Sequence, residues 1–462
     1  MLVDCYARED VFAQVPELAA EIDPVLRTLN GLLDDDQLYQ QVRTDFGKRH
    51  RSTLVHGRHS TPVEVLLRML ILKHLYQWSY KELEARVKDS LVLRWFCRVA
   101  FHAVPDGSTL WRWQQTLRPE TVHALNDRVV KLAKQAKVTK GRKLRLDATC
   151  VQTEIHHPTD SGLLVDSVRV LSRFVQRAKD LVKDQASNVQ QACRSRLRTA
   201  RQVAQTLHRQ LRRPRRGQRS TAERAVSEAH RDHRAHGAAK STGGGSLAEA
   251  DRAGGQASAH AGHRGASPGR GRDRPDAQTR AGGQEDGLRS RSVLSLFEPH
   301  TRAIPRHKGG ALVEFGRHVI LDETEGGIVT RYQILEHPTE HGQAVEAVAH
   351  HCALFAHPPG LVAGDRGVHS ADTEEKLKAA GVKRVAIPAS GKLSEERHTL
   401  EHTRTWKRGY RWRAGIEGRI ASLRRDYGWR KSRYHGQDGM ARWLGPGVIA
   451  SNLRRIALAS RA

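Results

Sequence analysis

The sequence has few cysteines, and it lacks both a long apolar run and an obvious export signal. Five cysteines are scattered through 462 residues, without the pairing of a disulfide framework or the spacing of a zinc site. Such sparse use of cysteine fits a reducing cytoplasm. The longest apolar run, residues 66–75, is broken by Arg68, Lys73 and His74, so it is too short and too charged to span a bilayer. Three of the first ten residues are acidic, so we expect no signal peptide.

Basic residues, in contrast, are abundant. The chain has 78 Lys and Arg against 50 Asp and Glu, which gives a formal net charge of +28. A polyanion is therefore the expected partner. The basic residues are spread over several segments instead of one amphipathic helix, which favours nucleic acid over a membrane surface. The length allows two or three domains.

Residues 61–140 are predicted to form a helical DNA-binding domain, after a segment 1–60 whose role the sequence does not reveal. Three helix starts carry capping signals, namely Thr61 with Pro62 and Glu64, then Ser79 with Glu82, then Ser108. The third helix, residues 109–117, is basic and aromatic, and its Arg112 and Trp113 are candidate DNA contacts. Short helices with tight turns are typical of a helix-turn-helix reader, although other small helical bundles share the pattern.

A period-two pattern from Lys143 to Val151 predicts a strand with Asp147 in its middle. Asp is unfavourable inside strands, so a functional role is one interpretation and an edge or surface position is the other. A long helical pattern follows, which favours a helical hairpin or coiled-coil arm. Residues 212–287 then lose almost all large apolar residues, so we expect disorder there. A sharper hypothesis is that this stretch is translated out of frame and returns to frame near residue 290.

Residues 315–387 alternate between strand and helix patterns, which indicates an α/β sheet. The predicted order is strand 315–322, strand 327–335, helix 343–355, strand 361–363, helix 372–380 and strand 382–387. The strand 361–363 runs into Gly364-Asp365-Arg366-Gly367. Chemistry gathers at the carboxyl ends of strands in such sheets, and glycine lets a ligand or metal approach the backbone. Asp365 is therefore a candidate site residue, with a purely structural turn as the alternative.

Residues 410–427 are predicted to form one amphipathic helix. Its buried stripe is Ile416, Ile420, Leu423 and Tyr427. Glu417 lies beside that stripe, on the same side as Tyr410, Arg413 and Arg424. The surrounding segment 404–433 interleaves eleven Lys or Arg with aromatic residues, a pattern suited to phosphates and unstacked bases. A solvated basic face with one stray Glu is the other interpretation.

Asp147, Asp365 and Glu417 together form a candidate catalytic set. Carboxylates that hold two divalent metals about 4 Å apart can activate a water and stabilise the leaving oxygen at a phosphodiester. Mg²⁺ suits this task because it prefers oxygen ligands and keeps several waters.

The sequence resembles the DDE transposases of bacterial insertion sequences, in particular the ISNCY-like branch of the RNase H-like group. The resemblance is carried by Arg145-Leu-Asp-Ala-Thr-Cys-Val-Gln-Thr, by Gly364-Asp-Arg-Gly-Val-His-Ser, and by Tyr410-x2-Arg413-x3-Glu417-x6-Arg424. The last segment is similar to the family's Tyr-Arg-Glu-Lys signature, with Arg424 where Lys is usual. Arg keeps the charge but not the compact ammonium geometry.

The resemblance covers residues from about 60 to 460, apart from 212–287. It implies an α/β fold, with an RNase H-like mixed sheet and flanking helices in residues 141–462. A long helical or disordered insertion at about 161–292 interrupts this fold, and a helix-turn-helix-like all-α domain precedes it. It implies Asp147, Asp365 and Glu417 as Mg²⁺ ligands, with Mn²⁺ able to substitute. The expected DNA contacts are Arg112, Trp113, Tyr410, Arg413, Arg424, Arg425 and Lys431.

The function that follows is a transposase that binds element ends, cleaves the strand and joins it to target DNA. We expect double-stranded DNA as partner, a homodimer on DNA, and a cytoplasmic, nucleoid-associated location away from membranes. A catalytically inactive DNA-binding remnant and a metal-dependent nuclease that cuts without joining are the alternatives. The terminal repeats, target sequence and excision route are not readable from the chain.

Overall fold

The computed structural model describes residues 1–7, 12, 17, 21–49, 56, 59–181, 197–212, 293–305, 313–336, 340, 342–391 and 393–461. Contacts divide the chain into two units. One combines Met1–His156 with Phe297–Ala462, and the other is His157–Leu296. The stretch predicted to be disordered or out of frame lies, after Arg212, outside the described residues.

The N-terminal region is helical, as predicted. Its helices are α1 (Pro24–Leu32), α2 (Asp36–Gly47), α3 (Val63–Tyr76), α4 (Tyr80–Asp89), α5 (Leu91–Phe96), α6 (Gly107–Thr116) and α7 (Pro119–Gln135). The four helices α3–α6 occupy the span in which the sequence predicted three. The additional one is α5, which starts at a cap formed by Ser90.

The predicted helix starts are confirmed at one of three positions. The Ser79 hydroxyl accepts a hydrogen bond from the Glu82 amide and caps α4. The cap at Thr61 is wrong, because α3 begins after Pro62 without a side-chain cap and the Glu64 carboxylate pairs with Arg68 instead. Asp106, and not Ser108, caps α6.

The start of α6 differs from the prediction because the side chains of Asp106 and Ser108 compete to cap the helix. An Asp106 carboxylate oxygen accepts from the Thr109 amide at 2.8 Å, and the Ser108 hydroxyl donates to the same carboxylate. A carboxylate is the stronger acceptor at a helix N-terminus, so the serine becomes part of the first turn.

The helical region shares its core with the end of the chain. The C-terminal helix α15 (Gly436–Ala459) contacts α3 and α7. Ile449, Leu453 and Ile456 belong to the same apolar core as the buried residues of α3. Every residue of α3 from 63 to 74 is buried, so this helix is enclosed on all sides. The N-terminal helices and α15 therefore form one continuous core.

A six-stranded mixed sheet forms the other part of this unit. Its strands are β1 (Lys143–Gln152), β2 (Arg302–Pro305), β3 (Val313–Thr324), β4 (Val329–Ile334), β5 (Leu361–Ala363) and β6 (Arg384–Ala386). The central strand β1 pairs antiparallel with β3 and parallel with β5, which in turn pairs parallel with β6. β2 and β4 pair with the other edge of β3. The prediction of a mixed sheet with flanking helices is confirmed.

Both faces of the sheet are covered. Leu144 and Leu146 of β1 pack with α10 (Gln343–Phe355) and α11 (Ala371–Ala379). The C-terminal segment supplies α12 (Glu395–His402), α13 (Arg404–Arg413) and α14 (Gly415–Asp426). α13 packs on β5 and β6, and α14 packs with Val151 and Val319. Because side chains alternate along a strand, Arg145 and Asp147 point away from Leu144 and Leu146, toward α13 and α14.

The second unit contains two described helices, α8 (Asp160–Leu181) and α9 (Leu197–Arg212), which contact each other. This agrees with the predicted helical hairpin or arm, although its turn lies outside the described residues. In the described part of the chain, no helix combines the length and the apolar character needed to cross a membrane.

Candidate active site

Asp147 lies on β1, and Asp365 lies just after the end of the neighbouring strand β5. Arg145 of β1 pairs with Ala363 of β5 in a parallel register, two residues before each acid. The charge of Asp365 acts on Asp147, which shows that the two acids are near each other. Asp365 follows the end of β5, where an oxygen of its carboxylate accepts from the Arg366 amide at 2.8 Å and caps a short 3₁₀ turn, Arg366–Val368.

The third acid, Glu417, is linked to Asp147 by the side chain of Arg413. Arg413, the last residue of α13, donates from Nη1 to Asp147 Oδ2 at 3.1 Å and from Nη2 to Glu417 Oε1 at 3.2 Å. The Asp147 side chain is 16% exposed and that of Glu417 is 59% exposed. Arg413 therefore bridges a recessed acid on the sheet and an exposed acid on α14.

Negative charge is crowded around Asp147. Burial raises the pKa of Asp147 to about 6, the nearby charges of Asp365 and Glu417 also raise it, and Arg413 opposes this shift. Among the described residues, no three side chains of His, Cys, Asp or Glu stand close enough together to hold a metal ion as they are placed. The charges of the three acids therefore act on one another, but their side chains would have to move closer together to bind a metal.

The helix that carries Glu417 is not continuous with the one that carries Arg413. The prediction of a single helix over residues 410–427 is wrong at Ala414, where α13 ends and α14 begins. Arg145 Nη1 donates to the Trp412 carbonyl at 2.8 Å. A Cβ on Gly415 would lie 2.1 Å from the same nitrogen. The inserted guanidinium takes a carbonyl out of the helical ladder, which is a recognised cause of a helix break.

The buried stripe of this segment is confirmed, since Ile416, Ile420, Leu423 and Tyr427 are all buried. This stripe packs α14 onto the sheet and orients its first turn, in which Glu417 lies, toward β1.

The remaining residues of the C-terminal signature have different surroundings. The Tyr410 ring lies beside Arg413, whose Cζ is 5.6 Å from the ring centroid. Arg424, in contrast, faces the Glu314 carboxylate of β3 at 3.6 Å. The exposed Arg425 pairs with Asp426, and Lys431 pairs with Glu154 at 2.7 Å. Tyr410 thus joins the acid group, while the last three basic residues are paired elsewhere on the surface.

A fourth acid, Glu340, was missed by the sequence reading. It lies just before α10, and a Cβ on Gly367 would be 3.0 Å from its Oε2. Burial raises the pKa of Glu340 to about 7, together with the charges of Asp147 and Asp365. The sequence around Glu340 has no helix or strand periodicity that would single it out. The only signal was Gly367, the second glycine of Gly364-Asp365-Arg366-Gly367, which allows another side chain to lie close to the backbone. A Cβ on Gly364 would make ordinary contacts of 3.5 Å, so space does not require the first glycine.

The two candidate DNA contacts on α6 are separate from the acid group. Arg112 is exposed and bonds within its own helix to Ser108 and Thr109. Trp113 is only 7% exposed and packs against Phe46, so its burial does not suit a direct DNA contact. The outward-facing aromatic is Trp111, which is 49% exposed.

The sequence did contain a signal for the burial of Trp113. Leu110, Trp113 and Leu117 are spaced by three and four residues, which is the stripe of a buried helix face. All three are buried.

Two family models match the chain. Residues 16–116 match a model described as "Transposase domain (DUF772)", and residues 291–453 match one described as "Transposase DDE domain". Together the two matches indicate a DDE-type insertion-sequence transposase. Asp365, Arg413 and Glu417 of this transposase lie inside the second match, whereas Asp147 lies between the two.

One curated relative is similar over part of the transposase. It is described as "Uncharacterized protein ORF8 in nfe locus" from Rhizobium meliloti, and it is 27% identical over 127 residues. The aligned region is 26% of this chain and 61% of the relative, so it spans less than two thirds of the relative's length. No solved structure matches the transposase.

Proposed function

We propose that the chain binds the ends of an insertion sequence and catalyses metal-dependent DNA strand cleavage and strand transfer. The observation that carries this proposal is the Arg413 bridge between Asp147 and Glu417, beside Asp365. Residues from three distant parts of the sequence meet there, in a chain with a DDE-domain match. The RNase H-like fold is part of the proposal, and the mixed sheet with Asp147 on its central strand supports it.

The acid group suits Mg²⁺, with Mn²⁺ as a substitute. Carboxylate oxygens are the ligands that Mg²⁺ prefers. Mutual repulsion contributes to the raised pKa of Asp147, and a divalent cation would relieve it. We infer that Asp147, Asp365 and Glu417 hold the metal. When bound, the metal supplies an activated water and stabilises the leaving oxygen.

Arg413 and Tyr410 are proposed to position the DNA. Arg413 pairs with both Asp147 and Glu417. If those carboxylates held a metal, the guanidinium could instead pair with a phosphate through two parallel hydrogen bonds. Tyr410, stacked on Trp406, offers an aromatic face beside it.

A wider DNA path is proposed along the basic surface. Arg424, Arg425 and Lys431 each have an acidic partner that a phosphate could replace. On α6, Arg112 and Trp111 supply a cation and an exposed aromatic. Trp111 takes the place of Trp113 because the latter is buried. We further propose that two copies act together on DNA, so that each holds one element end.

The test is a cleavage and joining assay with the full chain. Inverted repeats found in the DNA flanking the gene define the substrate duplex. We expect end-specific cleavage and joined products with Mg²⁺ or Mn²⁺, and neither product with EDTA. Binding without cleavage would identify an inactive remnant, and cleavage without joining would identify a nuclease.

Replacing Arg112 by Ala is expected to weaken binding of the element ends. The loss of one phosphate contact should reduce the slope of log K against log salt by about 1. Gel-shift titrations at several salt concentrations measure this. The full chain is needed, because α3 shares its core with α15 and an isolated 61–117 fragment would expose that surface.

Arg43→Ala is the control for this experiment. Arg43 lies on α2, is also a partly exposed arginine and pairs with Asp4. We expect no change in its salt slope. An unchanged slope for Arg112→Ala as well would mean that α6 does not face DNA.

A further inference from the structure

We propose that Glu340 is a fourth carboxylate of the metal site, on the side of Asp147 and Asp365. This inference rests on the proposed metal-dependent function and extends it by one ligand. Glu340 follows β4 and lies three residues before the start of α10, in a segment with no recognisable motif.

The position of Glu340 is set by two backbone contacts. Its own carbonyl accepts from the Gln343 amide at 3.2 Å, which ties it to the first turn of α10. Its carboxylate lies against Gly367, where an added Cβ would come within 3.0 Å of Oε2. Since Gly367 is two residues after Asp365, the Glu340 carboxylate is held beside the turn that carries the second acid.

The charge around Glu340 is unbalanced. Its carboxylate has no hydrogen bond or ion pair with any residue that the structure describes. The charges that act on it are those of Asp147 and Asp365, and both are negative. Glu340 is partly buried, and a recessed carboxylate without a counter-charge is unfavourable.

Arg413 is the cation of the described acid group, and it bonds to Asp147 and Glu417 but not to Glu340. Its charge also interacts with that of Asp365. One guanidinium therefore faces four carboxylates, and Glu340 has no arginine or lysine partner among the described residues. A divalent cation would supply the missing charge and accept hard oxygen ligands.

The experiment compares metal binding by the full chain and two matched variants at pH 8. Glu340→Gln removes the charge with almost no change of shape. Glu346→Gln makes the same change on α10, at a carboxylate that is 55% exposed and pairs with Arg331. Titration with Mn²⁺, followed by the electron paramagnetic resonance signal of the free ion, gives the affinity without any catalytic step. Thermal unfolding without metal reports the structural effect.

Glu340→Gln is expected to weaken Mn²⁺ binding at least about 10-fold, because loss of even an outer-shell partner of a metal ligand typically costs about 10- to 100-fold in affinity. Its unfolding temperature without metal should equal or exceed that of the wild type, because a repulsive charge is removed. Glu346→Gln should bind Mn²⁺ like the wild type.

Three results would overturn the inference. They are wild-type Mn²⁺ affinity in Glu340→Gln, an equal loss in Glu346→Gln, and a metal-free unfolding temperature of Glu340→Gln below that of the wild type. The last would assign Glu340 a structural role. Failure of the proposed function looks different, since the wild type and Asp147→Asn would then bind Mn²⁺ equally weakly.

Discussion

Asp147→Asn and Asp365→Asn are each expected to abolish Mg²⁺-dependent cleavage of end DNA while leaving DNA binding nearly intact. Each change removes a metal-binding charge and little packing volume. Metal assistance is worth several kcal/mol, so the loss should exceed about 1,000-fold in rate. Cleavage at saturating Mg²⁺, together with gel-shift binding, measures both parts of this expectation.

The matched control is Asp372→Asn on α11, where an exposed Asp pairs with Lys376 at 2.7 Å. It should cleave at the wild-type rate. Wild-type cleavage by Asp147→Asn or Asp365→Asn at saturating Mg²⁺ would remove that residue from the catalytic set.

The Asp147→Asn variant also has an expected effect on stability. Burial raises the pKa of Asp147 to about 6, so its ionised form is disfavoured in the folded state. Its destabilising contribution is absent below the unfolded pKa and grows as the pH rises through about 6. Without metal at pH 8, Asp147→Asn should therefore unfold at a temperature equal to or above that of the wild type.

Glu417→Gln should eliminate Mg²⁺-dependent cleavage, while Asp426→Asn should retain most of it. Both acids lie on α14, so the pair tests position on one helix. Glu417 is in the first turn and shares Arg413 with Asp147. Asp426 is the last residue, and its carboxylate accepts from Ser422 and Arg425. Cleavage assays under identical conditions decide between them.

Neither change should disturb folding strongly. The Glu417 side chain is 59% exposed, and exposed positions usually change the free energy of unfolding by no more than about 0.5 kcal/mol. Cleavage retained by Glu417→Gln but lost by Asp426→Asn would show that the third metal ligand is at the other end of α14.

Several elements could be predicted from the sequence because local periodicity determines them. The helix 343–355 and the strand 361–363 have the predicted bounds. The stripe from Ile416 to Tyr427 is buried as its spacing of three and four residues requires. Asp147 and Asp365 lie in the predicted strand and at the predicted strand end. Each of these features depends on a pattern within about twenty residues.

Some failures involve partners that are distant in the chain. The break after Arg413 depends on Arg145, which is more than 260 residues away in sequence. The caps predicted at Thr61 and Ser108 failed for local reasons, since Glu64 pairs with Arg68 and Asp106 caps the helix in place of Ser108. The enclosure of α3 depends on α15, at the other end of the chain.

The sequence alone therefore determined the basic character of the chain, the order of most strands and helices, and the acids Asp147, Asp365 and Glu417 as candidates. Only the tertiary structure decided that Arg413 bridges two of them, that Trp111 instead of Trp113 faces outward, and that Glu340 lies beside Gly367. The physical reason is that helix and strand patterns come from neighbours in sequence. Burial of a charge and its partners depend instead on which distant segments the fold brings together.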